Sequence, residues 1–263
     1  MFSENIAIGR YVEKESLMHS LDPRSKLIGL FFLAGFAFTI NSFYDVAIMS
    51  FYTFLLMLLS RIGLKMYGKS LKSMWMLIVF AFVIQLFNYE GNVIYQLWFI
   101  KITDVGLSNA AIITFRLFFA IMLSSVLTLT TSPTSLANAM EDVLIWFRVK
   151  KSFAHELSMV MTIAIRFIPV MASEAERIFK AQMSRGADFD SRKFSGRLKG
   201  MVAIIIPLLV SALRRADELS IAMESRCYNG WEGRTRYKQF NWKFKDTLFT
   251  LSYITVGILV IIL

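Results

Sequence analysis

Apolar runs recur along this chain at lengths close to the thickness of a bilayer, and its charged residues are gathered between them. Crossing the hydrocarbon core takes about 17–25 mostly apolar residues at the helical rise. Leu27–Phe43, Val46–Ser60, Met74–Tyr89, Leu107–Thr130 and Phe244–Leu263 meet or approach that length. Asn41, Ser42 and Asp45 mark the break between the first two. Val93–Ile102, with Tyr95, Trp98 and Phe99, is too short to span and reads as an interfacial or re-entrant segment at the outer face. Hydrophobic residues make up 56% of the chain and charged residues 18%, below the roughly 25% of soluble domains. The reading is an all-α integral membrane protein with about five to six transmembrane helices. Residues 1–20 contain Glu4, Glu13 and Glu15 and no continuous apolar core, so they do not read as a cleaved signal peptide.

Charge sets the expected orientation. The loop after the second run carries Arg61, Lys65, Lys69 and Lys72, whereas the loop after the third carries only Lys101. The positive-inside bias puts the 61–72 loop in the cytoplasm, and counting outward puts the N-terminus and residues 131–243 there too, with the C-terminus outside. The 131–243 segment holds 18 Lys and Arg against 11 Asp and Glu, which fits. Three parts follow: a transmembrane bundle over 1–130, a cytoplasmic region of long amphipathic helices over 131–240, and a last transmembrane helix over 241–263.

Within the cytoplasmic region three helices are predicted. The first has Ser132 as N-cap and Pro133 at the first helical position, and runs to Lys150-Lys151. A second extends from about Ser152 to Arg185, kinked at Pro169, with Gly186 placed to stop it. The third extends from about Ser195 to Arg226, bent near Pro207. Two apolar patches, Leu157–Val170 around Arg166 and Met201–Leu213 around Pro207, read as helices lying under or dipping into the membrane. A tilted crossing by the second, or a paired crossing at 157–173, is the alternative.

The ends of the second and third helices resemble each other. Ala175, Glu176, Ile178, Ala181, Ser184 and Arg185 fall on Ala216, Asp217, Leu219, Ala222, Ser225 and Arg226, 41 residues later. An alanine one turn behind each arginine leaves room for a partner to approach. A guanidinium fork suits a protein anchor because it meets a carboxylate with two parallel hydrogen bonds. Cys227 stands where Gly186 stands, so the second end lacks an immediate glycine and its termination is expected to shift to Asn229-Gly230.

Several chemistries find no support. The chain has no Gly-x-x-x-x-Gly-Lys-Ser/Thr loop and so no nucleotide-binding signature. Its two histidines, His19 and His155, lack metal-site spacing and read as loop or interface residues, and Cys227 is the single cysteine. Glu174, Glu176, Asp217 and Glu218 sit beside arginines on amphipathic helices, the pattern of salt-bridged faces. Arg116, near the outer end of the fourth run, is expected to snorkel. A lone intramembrane cation does not describe a self-sufficient transport path.

Four segments then carry a family likeness: SLMHSLDPRSKL from Ser16, TTSPTSLANAMEDVL from Thr130, IRFIPVMASEAERIFKAQMSRGADF from Ile165 and PLLVSALRRADELSIAMESRCYNG from Pro207. In order, they resemble the transmembrane T component of energy-coupling factor (ECF) transporters, modular bacterial importers of vitamins and metal ions. The resemblance implies that residues 131–240 are crossed coupling helices, shaped by Pro133, Pro169 and Pro207. Arg185 and Arg226 would dock in grooves of two ABC-type ATPases, flanked by Ala181, Ser184 and Gly186 and by Ala222, Ser225 and Cys227. It implies no cofactor in this chain, ATP and Mg in the partner ATPases, a membrane-embedded substrate-binding S component as third partner, and no nucleic acid. The family motif is often Ala-Arg-Gly, where this chain has Ser-Arg-Gly and Ser-Arg-Cys. Vitamin uptake is the expected function, with a T component dedicated to cobalt or nickel as the alternative.

Overall fold

The computed structural model describes residues 11–87, 93–97, 100–187, 189, 194–231 and 240–262. Its helices are α1 (Leu17–Ser20), α2 (Pro23–Ala37), α3 (Phe43–Ser60), α4 (Leu64–Phe87), α5 (Asp104–Thr130), α6 (Pro133–Trp146), α7 (Lys151–Ser184), α8 (Phe194–Glu224) and α9 (Phe244–Ile262). Between α4 and α5, β1 (Val93–Leu97) and β2 (Ile100–Thr103) pair antiparallel, with an irregularity between Val93 and Tyr95. The segment predicted as interfacial or re-entrant is therefore a short hairpin.

The chain divides into two compact units. One comprises Tyr11–Val143 with Lys238–Leu263; Leu144–Tyr237 belongs to the other, so the boundary falls inside α6. In the first unit α5 packs against α2, α3 and α4, while α9 packs against α2 and α3. One core joins them, with Leu33, Met49, Leu56, Phe119, Leu123 and Tyr253 among its buried members. Close approach of α2 and α9 depends on glycine. A Cβ on Gly29 would lie 2.6 Å from the ring of Tyr253, and one on Gly257 would overlap the ring of Phe36.

Local chemistry fixes the helix ends. Ser42 and Asp45 form a capping box: Ser42 Oγ accepts from the Tyr44 amide, and the Asp45 carboxylate accepts from the amides of Asn41 and Ser42 at 3.0 and 2.9 Å. The break read at Asn41–Asp45 is thus a helix start, and α3 begins at Phe43 rather than Val46. Asp22 caps α2, with Pro23 in its first turn. Asp246 accepts from the amides of Asp22 at 2.7 Å and Lys243 at 2.8 Å, tying the starts of α2 and α9. Arg24 bonds Asp22, stands 3.5 Å from Asp142 of α6, and lies over the ring of Phe240. Buried Lys26 donates to the carbonyl of Thr130 at the C-terminal end of α5, where the helix dipole favours a cation. Ser132 Oγ accepts from the Ser135 amide, which makes Ser132 the cap of α6 as predicted.

Five described helices are long and apolar enough to span a bilayer: α3, α4, α5, α7 and α9. The bounds of the first predicted span, Leu27–Phe43, are corrected. Its helix, α2, has 15 residues and stops at Ala37, about 22 Å of rise against a hydrocarbon core of about 30 Å. The basic 61–72 loop is also corrected, because α4 begins at Leu64. Lys65, Lys69 and Lys72 stand one turn apart along an exposed face of its first turns. Arg116 donates to the carbonyl of Ile40 and to Asn41 Oδ1, bracing the connection between α2 and α3.

Candidate functional site: two arginines at matching helix ends

The second unit consists chiefly of α7 and α8, which pack on each other. α7 runs 34 residues through Pro169 and α8 runs 31 through Pro207. Both keep large apolar side chains exposed, among them Val160 and Ile168 on α7 and Ile205, Leu209 and Leu213 on α8.

Both helices end in the same kind of turn, closed by two equivalent bonds. At the end of α7 the amide of Gly186 donates to Met183 and that of Ala187 to Gln182. At the end of α8 the amide of Cys227 donates to Glu224 and that of Tyr228 to Met223, each partner 41 residues later. This pair of bonds is the Schellman motif, with its left-handed residue just past the cap. Gly186 takes φ 83° and Cys227 takes φ 55°. Ser184 Oγ donates to the Lys180 carbonyl at 3.1 Å, and Ser225 Oγ to the Ile221 carbonyl at 2.7 Å. The expected shift of termination to Asn229-Gly230 does not occur. Cysteine accepts the left-handed backbone at a steric cost of about 1 kcal/mol relative to glycine, and the two carbonyls satisfied by the turn outweigh it.

Arg185 and Arg226 therefore occupy the same structural position, the cap residue between helix and turn. Both are exposed, as are Ala181, Ser184, Gly186, Ala222, Ser225 and Cys227. Neighbouring cations differ in this respect: Arg177 pairs with Glu174 at 3.6 Å and Lys180 with Glu176 at 3.0 Å. Neither cap arginine makes an ion pair with a described residue. Two cations held in ion pairs beside two that make none is a pattern that sequence spacing alone does not give.

Beside Arg226 the unit opens a cavity of about 590 Å³ lined by Met159, Arg166, Phe167, Leu219, Met223 and Arg226. Its floor is apolar and two guanidinium groups stand at it. Tyr228 closes one side, donating its hydroxyl to Met159 Sδ at 2.9 Å. Sequence reasoning missed this cavity, since Arg166 read only as an interruption of an apolar run.

His19 is accounted for locally. Its Nδ1 lies 2.7 Å from Ser16 Oγ and its Nε2 2.8 Å from the Val12 carbonyl. Burial, ahead of a nearby Lys26 charge, holds its pKa below the usual 6.5. Among the described residues no group of three His, Cys, Asp or Glu side chains is placed to hold a metal ion.

The fold and these helix ends define an all-α, multi-pass membrane protein bearing a pair of long helices with matched arginine caps. Residues 14–237 match the family described as CbiQ, cobalt transport protein. The chain is 44% identical to the energy-coupling factor transporter transmembrane protein EcfT of Thermotoga maritima, over 98% of this chain and 93% of that protein. It is 44% identical to the protein of the same name from Ruminiclostridium cellulolyticum, over 94% and 92%. It is 38% identical to that of Bacillus subtilis, over 99% and 98%. The chain belongs to this CbiQ/EcfT family of transmembrane proteins of ECF transporters. It is accordingly a non-catalytic, multi-pass membrane subunit.

Proposed function

We propose that this chain couples ATP hydrolysis in two partner ABC-type ATPases to movement of a membrane-embedded substrate-binding S component. Arg185 and Arg226 dock in separate ATPase subunits, and ATP and Mg are handled there. The observation that carries the reading is the repetition of one cap, with an exposed arginine in it, at the ends of α7 and α8. Two equal anchors call for two similar sockets. Their exposed apolar faces support contact with the membrane surface or the S component. Pro133 fixes where α6 starts, and Pro169 and Pro207 shape the two long helices. The N-terminus and residues 131–243 face the cytoplasm in this reading, and Arg166, within the apolar part of α7, supports a helix lying along the membrane rather than through it.

Affinity purification from the native membrane should retain two ATPases and a small membrane protein. Arg185→Ala with Arg226→Ala should abolish uptake in the reconstituted complex, each truncated anchor weakening docking by roughly 2 kcal/mol. Uptake at the wild-type rate by that double variant would refute the coupling role.

For the cargo, the family description names cobalt, which supports a divalent metal ion. The names of the relatives specify no cargo, and a vitamin is the rival carried by the motif resemblance. Uptake of radioactive cobalt(II), nickel(II) and tritiated riboflavin by vesicles containing the native complex separates the two classes.

A further inference from the structure

The shift of 41 positions that aligns Arg185 with Arg226 also aligns Glu174 with Arg215. These two side chains meet across the helix pair, with Arg215 Nη2 4.0 Å from Glu174 Oε2. A position that faces its own counterpart lies at a local two-fold axis, because only there does a point meet its own image.

Three further observations agree with such an axis. The caps beyond the contact repeat their two closing bonds. The helices run in opposite directions, since Tyr228, just past the end of α8, bonds Met159 near the start of α7. Finally, the repeat breaks where a two-fold contact requires it to break. Identical charges at a self-facing position would repel, and the chain has glutamate in one copy and arginine in the other. From this contact each arginine is eleven residues away, about 16 Å of helix at 1.5 Å per residue.

We propose that Glu174 and Arg215 are a positioning pair, a fulcrum at the local two-fold axis of α7 and α8 that gives Arg185 and Arg226 equal lever arms toward the two ATPases. The proposal rests on the docking role assigned above. At 4.0 Å the pair is in a loose form of a contact whose tight, bidentate form has bonds of about 2.7–2.9 Å. Arg215 Nε is buried and has no hydrogen-bond partner, so the fork keeps a donor in reserve. A change in crossing angle can tighten the pair without repacking the helices. Arg177, 3.6 Å from the same Glu174 oxygen, keeps the carboxylate oriented toward the crossing.

The test is a double-mutant cycle in the complex purified with its native ATPases and S component, reconstituted in liposomes. Glu174→Gln, Arg215→Gln and the double variant are compared by ATP hydrolysis and by uptake of cobalt(II) or riboflavin, whichever the wild type takes up. Each single variant should keep both ATPases bound and hydrolysing, while uptake per ATP falls about tenfold, within the range of measured coupling free energies. The double variant should be no worse than the weaker single one, because the two groups act as one unit. Unchanged uptake per ATP in the singles, effects that multiply in the double, or loss of bound ATPase would each overturn the fulcrum. Failure of the docking role is read separately: it would appear as undiminished uptake in the Arg185→Ala, Arg226→Ala variant, which leaves Glu174 and Arg215 intact.

Discussion

Cys227 sits in the left-handed region at φ 55°, where Gly186 occupies the matching position at φ 83°. A side chain there works against the cap, so Cys227→Gly should stabilise the purified protein by about 0.5–1 kcal/mol. Thermal unfolding in detergent checks it, and an unchanged or lower midpoint contradicts the account. The pattern of a glycine after each arginine was half legible in the sequence. What hid the other half is that backbone strain of this size is smaller than the gain from the two carbonyls it satisfies. His19 makes a second statement at this scale. Its pKa is lowered in the folded protein, mainly by burial, so below about 6.5 the unfolded chain binds more protons than the folded one. Stability from this group is complete above pH 6.5 and declines as pH falls through 6.5 toward the lowered value. His19→Asn should remove that part of the acid sensitivity, which unfolding midpoints across pH 5–8 would show.

Among elements, the α2–α9 contact is the most demanding of the first unit. Gly29 lies against Tyr253 and Gly257 against Phe36, so each helix offers a flat spot to an aromatic ring of the other. In a bilayer, where apolar surface gains nothing from association alone, such close backbone approach supplies the packing. Gly257→Leu forces the helices apart and should cost about 1–3 kcal/mol, seen as a lower unfolding midpoint with a monodisperse but less stable protein. Gly29 and Gly257 looked unremarkable in sequence, because spacing says nothing about which ring arrives opposite. The segment around Asp22, Arg24 and Lys26 was visible only as part of a family motif. In the structure it joins α2, α9, α5 and α6 through Asp246, Phe240, Thr130 and Asp142. Helix boundaries show the same limit: Asn41, Ser42 and Asp45 announced a break, and only the hydrogen bonds decided that it was a capping box.

For the whole molecule, sidedness is the most direct open consequence of the proposed function. Cys227 is the single cysteine and is exposed, so it reports the compartment of the second arginine motif without engineering. A membrane-impermeant maleimide should label it in inside-out vesicles and leave it unlabelled in intact cells; the reverse would place the arginine caps outside and remove them from any ATP-driven partner. Composition and charge bias by themselves determined a multi-pass, all-α membrane protein, and the repeated Ser-Arg segments by themselves singled out Arg185 and Arg226. Those properties are carried by residue identity and spacing, which set transfer free energy and helix periodicity. Tertiary structure decided that α2 stops at Ala37, that Arg116 braces the connection between α2 and α3, and that Glu174 meets Arg215. It also decided that both arginine segments fold into one and the same cap. Such outcomes depend on which backbone carbonyls and side chains come within a few ångströms of each other, and no spacing along a single chain encodes that distance.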